Sequence, residues 1–123
     1  MPSPSVSVVM GLVDETSSLI ATIERVAEAT RPVTVEFIVV IAPFASSASQ
    51  GTAESLATIH DNVRLIEQAT PGVGGAYRDG ISQADGGIVI LMSSDLETDP
   101  AAAGRLLKPL LAWRMLADEV MAV

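Results

Sequence analysis

The chain has 123 residues, of which 49% are hydrophobic and 18% are charged, with a net charge of −8 and no cysteine. This balance predicts one globular domain with a packed core rather than a disordered chain. The negative charge argues against nucleic-acid binding, and the lack of cysteine excludes disulfides, thiol nucleophiles and cysteine-ligated zinc.

Membrane insertion and secretion are not expected from the sequence. The longest apolar run, Phe37–Phe44, is far shorter than the ~18 residues that cross a bilayer. The first residues, Met1–Ser5, carry no positive charge of the kind that begins a secretory signal. We therefore expect a cytoplasmic chain.

The N-terminal segments predict a strand followed by a helix. The apolar run Val6–Leu12 is short and bounded by Pro and Asp residues, as buried strands are. Asp14 is a suitable cap for the helix that follows, which should end before Pro32. The apolar stripe of this helix is expected to comprise Leu19, Ile20, Ile23, Val26 and Ala27.

A second strand is predicted over Val33–Ala42, which is rich in Val and Ile. The Ser/Ala-rich stretch Pro43–Gly51 lacks periodicity and is interpreted as a loop. It leads into a short helix over Thr52–His60, with Leu56 and Ile59 facing inward.

The second half of the chain repeats the alternation of strands and helices. We predict a third strand over Val63–Ile66, a loop over Pro71–Gly75 and a helix over Ala76–Ala84. The uninterrupted apolar run Ile88–Met92 predicts a fourth strand, central in the sheet. Asp99-Pro100 is typical of a helix start, and Pro109 should kink or split the helix that follows.

Alternating strands and helices of this kind predict an α/β fold, a three-layer sandwich around a mainly parallel sheet. Right-handed crossovers make 3-2-1-4 the simplest order of four strands. Ligands of open parallel sheets bind beyond the carboxyl ends of the strands. The loops expected there are Leu12–Glu15, Pro43–Gly51, Gln68–Gly75 and Ser93–Asp99.

The last of these loops could hold a divalent cation. Asp95 and Glu97 follow the fourth strand two positions apart, so in an extended segment both carboxylates point the same way. Carboxylate oxygens are ligands that Mg²⁺ and Mn²⁺ prefer, and such an ion can hold a diphosphate. The alternative is that Asp99 caps a helix while the other two carboxylates are solvated.

The glycine-rich stretch before the predicted third helix suggests a second kind of contact. Gly72–Gly75 would let backbone N–H groups approach an anion at a helix N-terminus, although a plain flexible turn fits it as well. Arg78 could neutralise a phosphate or pair with Asp79 or Asp85 at the surface.

Two stretches carry a resemblance to a known family. They are Pro-Gly-Val-Gly-Gly-Ala-Tyr-Arg-Asp-Gly-Ile at 71–81 and Ile-Val-Ile-Leu-Met-Ser-Ser-Asp-Leu-Glu-Thr-Asp-Pro at 88–100. With Val6–Met10, Val35–Val40 and Gly51–Glu54 before them, in this order and spacing, the chain resembles family 2 glycosyltransferases of the GT-A fold. The dolichyl-phosphate mannosyltransferase-like branch is the most similar.

The resemblance implies a nucleoside-diphosphate sugar donor, a divalent Mn or Mg ion at an Asp-x-Asp motif, and direct displacement at the anomeric carbon. In this branch it implies a polyprenyl phosphate acceptor. Asp95 matches the second Asp of the motif and Glu97 a neighbouring polar ligand, so both are expected at the metal, whereas no residue is assigned as catalytic. The implied nucleotide-sugar-binding residues are Leu12, Val13, Glu15, Gly74, Arg78, Ser93, Ser94 and Asp95.

The sequence departs from the family pattern at several positions. Ser93 stands at the first Asp of the metal motif, and Ile41–Phe44 replace an acidic loop. Gly11–Glu15 take the place of Pro-x-Tyr-Asn-Glu, and Gly87 stands where an acidic residue is common. Because the chain ends near Val123, before the acceptor half and its base, we expect a single truncated donor-binding domain over residues 1–123.

These departures leave a second hypothesis open, a non-catalytic interaction module that keeps the fold without the site. The apolar segment Leu106–Val123 would then be an interface with a second copy or with a partner chain.

Overall fold

The fold is a four-stranded parallel sheet covered on both faces by helices. The computed structural model describes residues 4–97 and 99–110. The strands are β1 (Val6–Leu12), β2 (Val35–Ile41), β3 (Val63–Glu67) and β4 (Ile88–Leu91), in the order β3-β2-β1-β4. The predicted α/β class and the strand order 3-2-1-4 are therefore confirmed. The helices are α1 (Ser17–Ala29), α2 (Ser47–Ile59) and α3 (Gly72–Gln83), and residues 102–110 are also helical.

Alternation along the strands divides the core into two layers. Val8 pairs with Phe37 on β2 and with Ile90 on β4, and these side chains share one face with Leu19 of α1, Leu56 of α2 and Leu107. On the opposite face α3 packs Ala76 against Val9, Ile38 and Val40. Two apolar faces on one sheet require helices on both sides, which gives the predicted three layers.

The fourth strand lies at the edge of the described sheet, so the prediction that it is central is wrong. Its only described partner is β1, with Val6 opposite Ile88. Because α3 packs mainly on β1 and β2, one face of β4 is left open, and Leu91 is 46% exposed there. A continuous apolar run thus marks β4 as a strand without fixing its place in the sheet.

Helix α1 begins at Ser17, so the prediction that Asp14 caps it is wrong. Thr16 occupies the N-cap position, without a side-chain cap hydrogen bond. The Glu15 carboxylate instead accepts hydrogen bonds from the N–H groups of Val13 and Asp14, which keeps these residues in a turn before the helix. Within the predicted apolar stripe, Ile20 is exposed rather than buried.

Helix α2 begins within the segment that was predicted to be a loop. The Ser46 hydroxyl accepts a hydrogen bond from the N–H of Ser49 at 3.1 Å, so Ser46 is the N-cap of the helix. At the other end Leu56 is buried as predicted, but Ile59 is 72% exposed and does not face inward.

Helix α3 begins at Gly72, four residues before the predicted start, with Pro71 at the N-cap position. A Cβ on Gly75 would lie 2.2 Å from the carbonyl oxygen of Thr70. Only a glycine permits this close approach. Because α3 includes residues 72–75, the glycine run is the first turn of the helix, and the prediction of a loop over Pro71–Gly75 is wrong there.

The final described segment is helical over 102–110, a range that includes Pro109. Asp99 Oδ1 accepts a hydrogen bond from the N–H of Ala101 at 3.0 Å, which confirms its predicted capping role. Leu107 is buried, whereas Leu106 and Leu110 are exposed. The rest of the predicted interface, residues 111–123, lies outside the described residues. Within the described part of the chain, no helix has the length and apolar character that a bilayer crossing requires.

Candidate functional site

A cavity of about 300 Å³ opens at the carboxyl edge of the sheet, where the parallel fold predicts a ligand site. Every strand contributes to it through the residues at or just after its end. The lining residues are Gly11, Leu12, Val13, Glu15, Ala42, Phe44, Gln68, Gly72, Val73, Ala76, Tyr77, Ser93 and Ser94. Most of these are apolar, and among the described residues Glu15 is the one charged side chain in the lining.

The Glu15 carboxylate is held at the mouth of the cavity by its own turn. Its Oε2 atom accepts hydrogen bonds from the Val13 N–H at 2.8 Å and the Asp14 N–H at 2.9 Å. Its other oxygen has no hydrogen bond from the described residues. The side chain can therefore offer a fixed acceptor to a ligand.

Two serines tie the loop after β4 to the site. Ser94 is buried, and its hydroxyl donates to the Gly11 carbonyl at 2.8 Å, which joins the ends of β1 and β4. The Ser93 hydroxyl donates to Asp95 Oδ1, which also accepts the Glu97 N–H at 3.0 Å. These two hydrogen bonds hold the pKa of the Asp95 carboxyl below its ordinary value, so the group is ionised at neutral pH.

Asp95 and Glu97 fit a divalent cation only in part. Among the described residues, no group of three or more His, Cys, Asp or Glu side chains is placed to hold a metal ion. Asp95 is exposed and its Oδ2 atom has no hydrogen bond from that part of the chain, which leaves one oxygen for a cation. This donor set suits an ion that takes one or two carboxylates from the protein and the rest of its ligands from a diphosphate.

The β3–α3 loop is fixed by Asp79. Its Oδ1 atom accepts from the Thr70 hydroxyl, and its Oδ2 atom from the N–H groups of Thr70 and Ala69. The hydrogen bonds from Thr70 are the largest cause of the lowered pKa of the Asp79 carboxyl. The loop that carries Gln68 is therefore ordered by contacts within the protein.

The structure brings together part of the predicted site. Leu12, Val13, Glu15, Ser93 and Ser94 line the cavity, whereas Gly74, Arg78, Asp95 and Glu97 do not. Arg78 is exposed and forms no ion pair with any described carboxylate. Arg78 forms no salt bridge with Asp79 or Asp85. Its charge is nevertheless a smaller cause of the lowered pKa of Asp79, after the hydrogen bonds from Thr70 and Ala69, whereas Asp85 lies 3.7 Å from Arg64.

The lining side chains that were not assigned to the site from the sequence include three large ones, Phe44, Gln68 and Tyr77. Phe44 and Gln68 lie in loops that were expected at the carboxyl ends of the strands. Their position in those loops is the feature of the sequence that could have indicated a role in ligand binding. Tyr77 lies one turn into α3, on the side that faces the cavity. Its role could not be anticipated without the true start of the helix.

The family assignment follows from comparison with known proteins. A model of the family described as "Glycosyl transferase family 2" matches residues 7–116. The chain belongs to glycosyl transferase family 2. The match runs through all four strands and every loop that lines the cavity. Comparison with curated proteins gives no match.

Among solved structures, the fold is similar to that of a mannosyltransferase from Pyrobaculum calidifontis in complex with GDP-Man and Mn²⁺. The TM-score is 0.64 at 18% sequence identity, over 77% of this chain. The matched region spans 28% of the mannosyltransferase chain. At this identity the likeness shows the GT-A fold, while the family itself is shown by the family model.

Proposed function

We propose that this chain binds the nucleoside-diphosphate sugar of a glycosyl transfer reaction. The observation that carries the proposal is the cavity at the carboxyl edge, bounded by the ends of all four strands, in a chain of family 2. The similar mannosyltransferase was solved with such a donor, GDP-Man, and with Mn²⁺. Nucleic acid is not proposed as a partner, because a net charge of −8 repels a phosphate backbone.

In the proposed complex, the nucleoside occupies the apolar cavity and the diphosphate extends past Ser93 toward Asp95. Glu15, Ser93 and Ser94 position the loops that contact the donor. A donor that extended along α3 would bring its phosphate oxygens to Gly74, in the first turn of that helix, and to the exposed side chain of Arg78.

A divalent Mn or Mg ion, when bound with the diphosphate, would be held by Asp95 with Glu97 as a second carboxylate and would neutralise charge on the leaving group. Transfer itself breaks the bond from the anomeric carbon to the diphosphate and forms one to the acceptor oxygen; if that oxygen belongs to a hydroxyl, its proton goes to a base, whereas a phosphate oxygen attacks as the anion. That base is left unassigned, and a polyprenyl phosphate acceptor, typical of the dolichyl-phosphate mannosyltransferase-like branch, is the finer form of the proposal.

The test is calorimetric titration of the purified chain with GDP, UDP and their sugar conjugates, with and without Mn²⁺. Asp95→Asn should weaken metal-dependent binding about 10-fold or more, because it removes the charge next to the ion. Glu54→Gln, an exposed change on α2, is the control and should bind as the wild type does. Ser93→Asp restores the family's first carboxylate and should strengthen the dependence on Mn²⁺.

The absence of binding at millimolar nucleotide would overturn the proposal. Unchanged binding by the Asp95→Asn variant would overturn the role of Asp95 alone.

A second candidate is a non-catalytic module with the same fold. It is favoured by Ser93 at the metal motif and by the lack of a three-carboxylate group among residues 4–97 and 99–110. In this case Leu106 and Leu110, both exposed, would contribute to an interface with a second copy or a partner chain. Sedimentation at high concentration, together with the calorimetric titration, separates the two candidates. A chain that stays monomeric and binds nucleotide fits only the first.

A further inference from the structure

The hydrogen-bond donors on the cavity's polar side chains are almost all engaged within the protein. Gln68 Nε2 donates to the carbonyl of Thr70 at 2.8 Å and to that of Gly72 at 2.8 Å. The Ser94 hydroxyl donates to Gly11, and the Ser93 hydroxyl donates to Asp95. Tyr77 is the exception, since its hydroxyl has no hydrogen bond to a described residue.

The orientation of the Gln68 amide follows from its partners. Both are carbonyl oxygens, which only an N–H group can satisfy, so the amide nitrogen faces them and Oε1 is left free of them. The backbone around it is fixed as well, because the Gln68 N–H donates to the Ile41 carbonyl at 2.9 Å. Asp79 holds the next two residues, Ala69 and Thr70.

Two side chains of the cavity lining therefore each keep an acceptor without a hydrogen bond from the described residues, namely Gln68 Oε1 and the second oxygen of Glu15. Acceptors that are held in place bind a ligand edge that carries N–H donors more tightly than an edge that carries lone pairs, because two facing lone pairs leave both groups without a hydrogen bond. Guanine offers adjacent donors, N1–H and the 2-amino group, on its pairing edge. Adenine and cytosine instead place an unprotonated ring nitrogen there, and uracil places a single N–H between two carbonyls.

We propose that Gln68 determines the nucleotide specificity of this site, with Oε1 accepting a hydrogen bond from a ring N–H, and that the preferred base is guanine. This inference rests on the proposed function, because it assumes that the nucleoside occupies the cavity. It makes Gln68 a specificity-determining residue, distinct from the carboxylates that are assigned to the metal.

The experiment compares GDP, IDP, UDP and ADP as ligands of the wild type, by calorimetry at one Mn²⁺ concentration. IDP keeps N1–H but lacks the 2-amino group, so it isolates one of the two donors. The wild type should bind GDP about 10-fold more tightly than ADP, with IDP between them.

Two variants separate specificity from a merely structural role. Gln68→Met keeps the size of the side chain but removes the acceptor, so the GDP preference over ADP should fall to about 2-fold or less. Gln68→Glu retains an acceptor while losing the contacts to Thr70 and Gly72, so its affinity can fall but the order GDP, IDP, ADP should persist. A loop-holding role alone would weaken all nucleotides equally and leave their ratios unchanged.

The outcomes are distinguishable from those of the proposed function. If GDP, IDP, UDP and ADP bind with equal affinity, or if Gln68→Met leaves the ratios as they are, the specificity inference is overturned and nucleotide binding stands. If none of the four binds at millimolar concentration, both fall.

Discussion

Asp79 on α3 holds Thr70 in the loop that precedes the same helix. Its Oδ1 atom accepts from the Thr70 hydroxyl at 2.6 Å, and its Oδ2 atom accepts from the Thr70 N–H at 2.9 Å. This contact spans nine residues and ties the loop to the helix that follows it. Because Gln68 begins that loop, the position of one cavity wall depends on Asp79.

Replacing Asp79 with Asn should lower the stability of the chain. The amide would turn an N–H₂ group toward donors that need an acceptor, which leaves some of them unsatisfied. Urea unfolding at pH 7 measures the effect, with Asp61→Asn, a change at an exposed aspartate, as the control. Equal midpoints for the two variants would contradict the role of the contact.

The same carboxylate predicts a pH dependence. Its pKa is below the ordinary value of 3.8 because of the hydrogen bonds from Thr70 and Ala69. The unfolded chain therefore binds the proton first as pH falls, so the contribution of Asp79 is present above about pH 4 and is lost as pH drops through the lowered pKa. The urea midpoints of the wild type and of Asp79→Asn should therefore converge once the pH is below the lowered pKa. Unfolding curves between pH 2 and pH 7 would show this.

Replacing Gly75 with Ala should destabilise the fold by about 1–3 kcal/mol, since the new Cβ would meet the Thr70 carbonyl and backbone cannot move away cheaply. Gly74→Ala is the matched control in the same turn, because a Cβ there meets nothing within 4 Å. Its stability should be unchanged or raised by less than about 1 kcal/mol. Thermal unfolding of both variants checks this, and similar losses would show that α3 does not depend on the close approach.

Glu36 should be the carboxylate whose replacement costs most stability at the amino end of the sheet. Its oxygens accept from the Ser7 hydroxyl at 2.6 Å and the Asp85 N–H at 2.8 Å, and Arg64 lies 3.1 Å away. Burial alone would raise the pKa of this carboxyl, but these hydrogen bonds and the arginine outweigh it and the pKa is lowered. Glu36→Gln should therefore cost about 2 kcal/mol at pH 7.

The control is Glu28→Gln, which removes an exposed ion pair with Arg31 and should change stability by less than about 0.5 kcal/mol. Because the pKa of Glu36 lies below the ordinary 4.5, its contribution should be present above that pH and should be lost on further acidification. An unfolding free energy for Glu36→Gln that matches the control at pH 7 would refute this.

Replacing Phe44 with Ala should separate ligand binding from folding. Phe44 lines the cavity yet is 74% exposed, so stability should change by less than about 0.5 kcal/mol. Loss of an aromatic contact with the base should weaken nucleotide binding about 3- to 10-fold. Ile59→Ala is the control, because Ile59 is 72% exposed and lies outside the cavity. Equal affinity in both variants would remove Phe44 from the site.

The sequence by itself determined the order of elements, the parallel sheet and the family. These depend on apolar runs such as Val35–Val40 and on motifs such as 71–81, which are local and are visible along the chain. The order of strands and helices also predicted a ligand site at the carboxyl ends of the strands, and Glu15, Ser93 and Ser94 do line the cavity there.

Only the tertiary structure decided where the helices begin and which groups the site offers. Residues 72–75 form the first turn of a helix in which Gly75 lies close to the Thr70 carbonyl, and Ser46 caps α2 through one specific hydrogen bond. The chemistry of Gln68 was likewise invisible in the sequence, because the direction of an amide is set by the carbonyls around it. Periodicity records burial, whereas caps, close approaches and free acceptors arise when the folded chain brings particular atoms together.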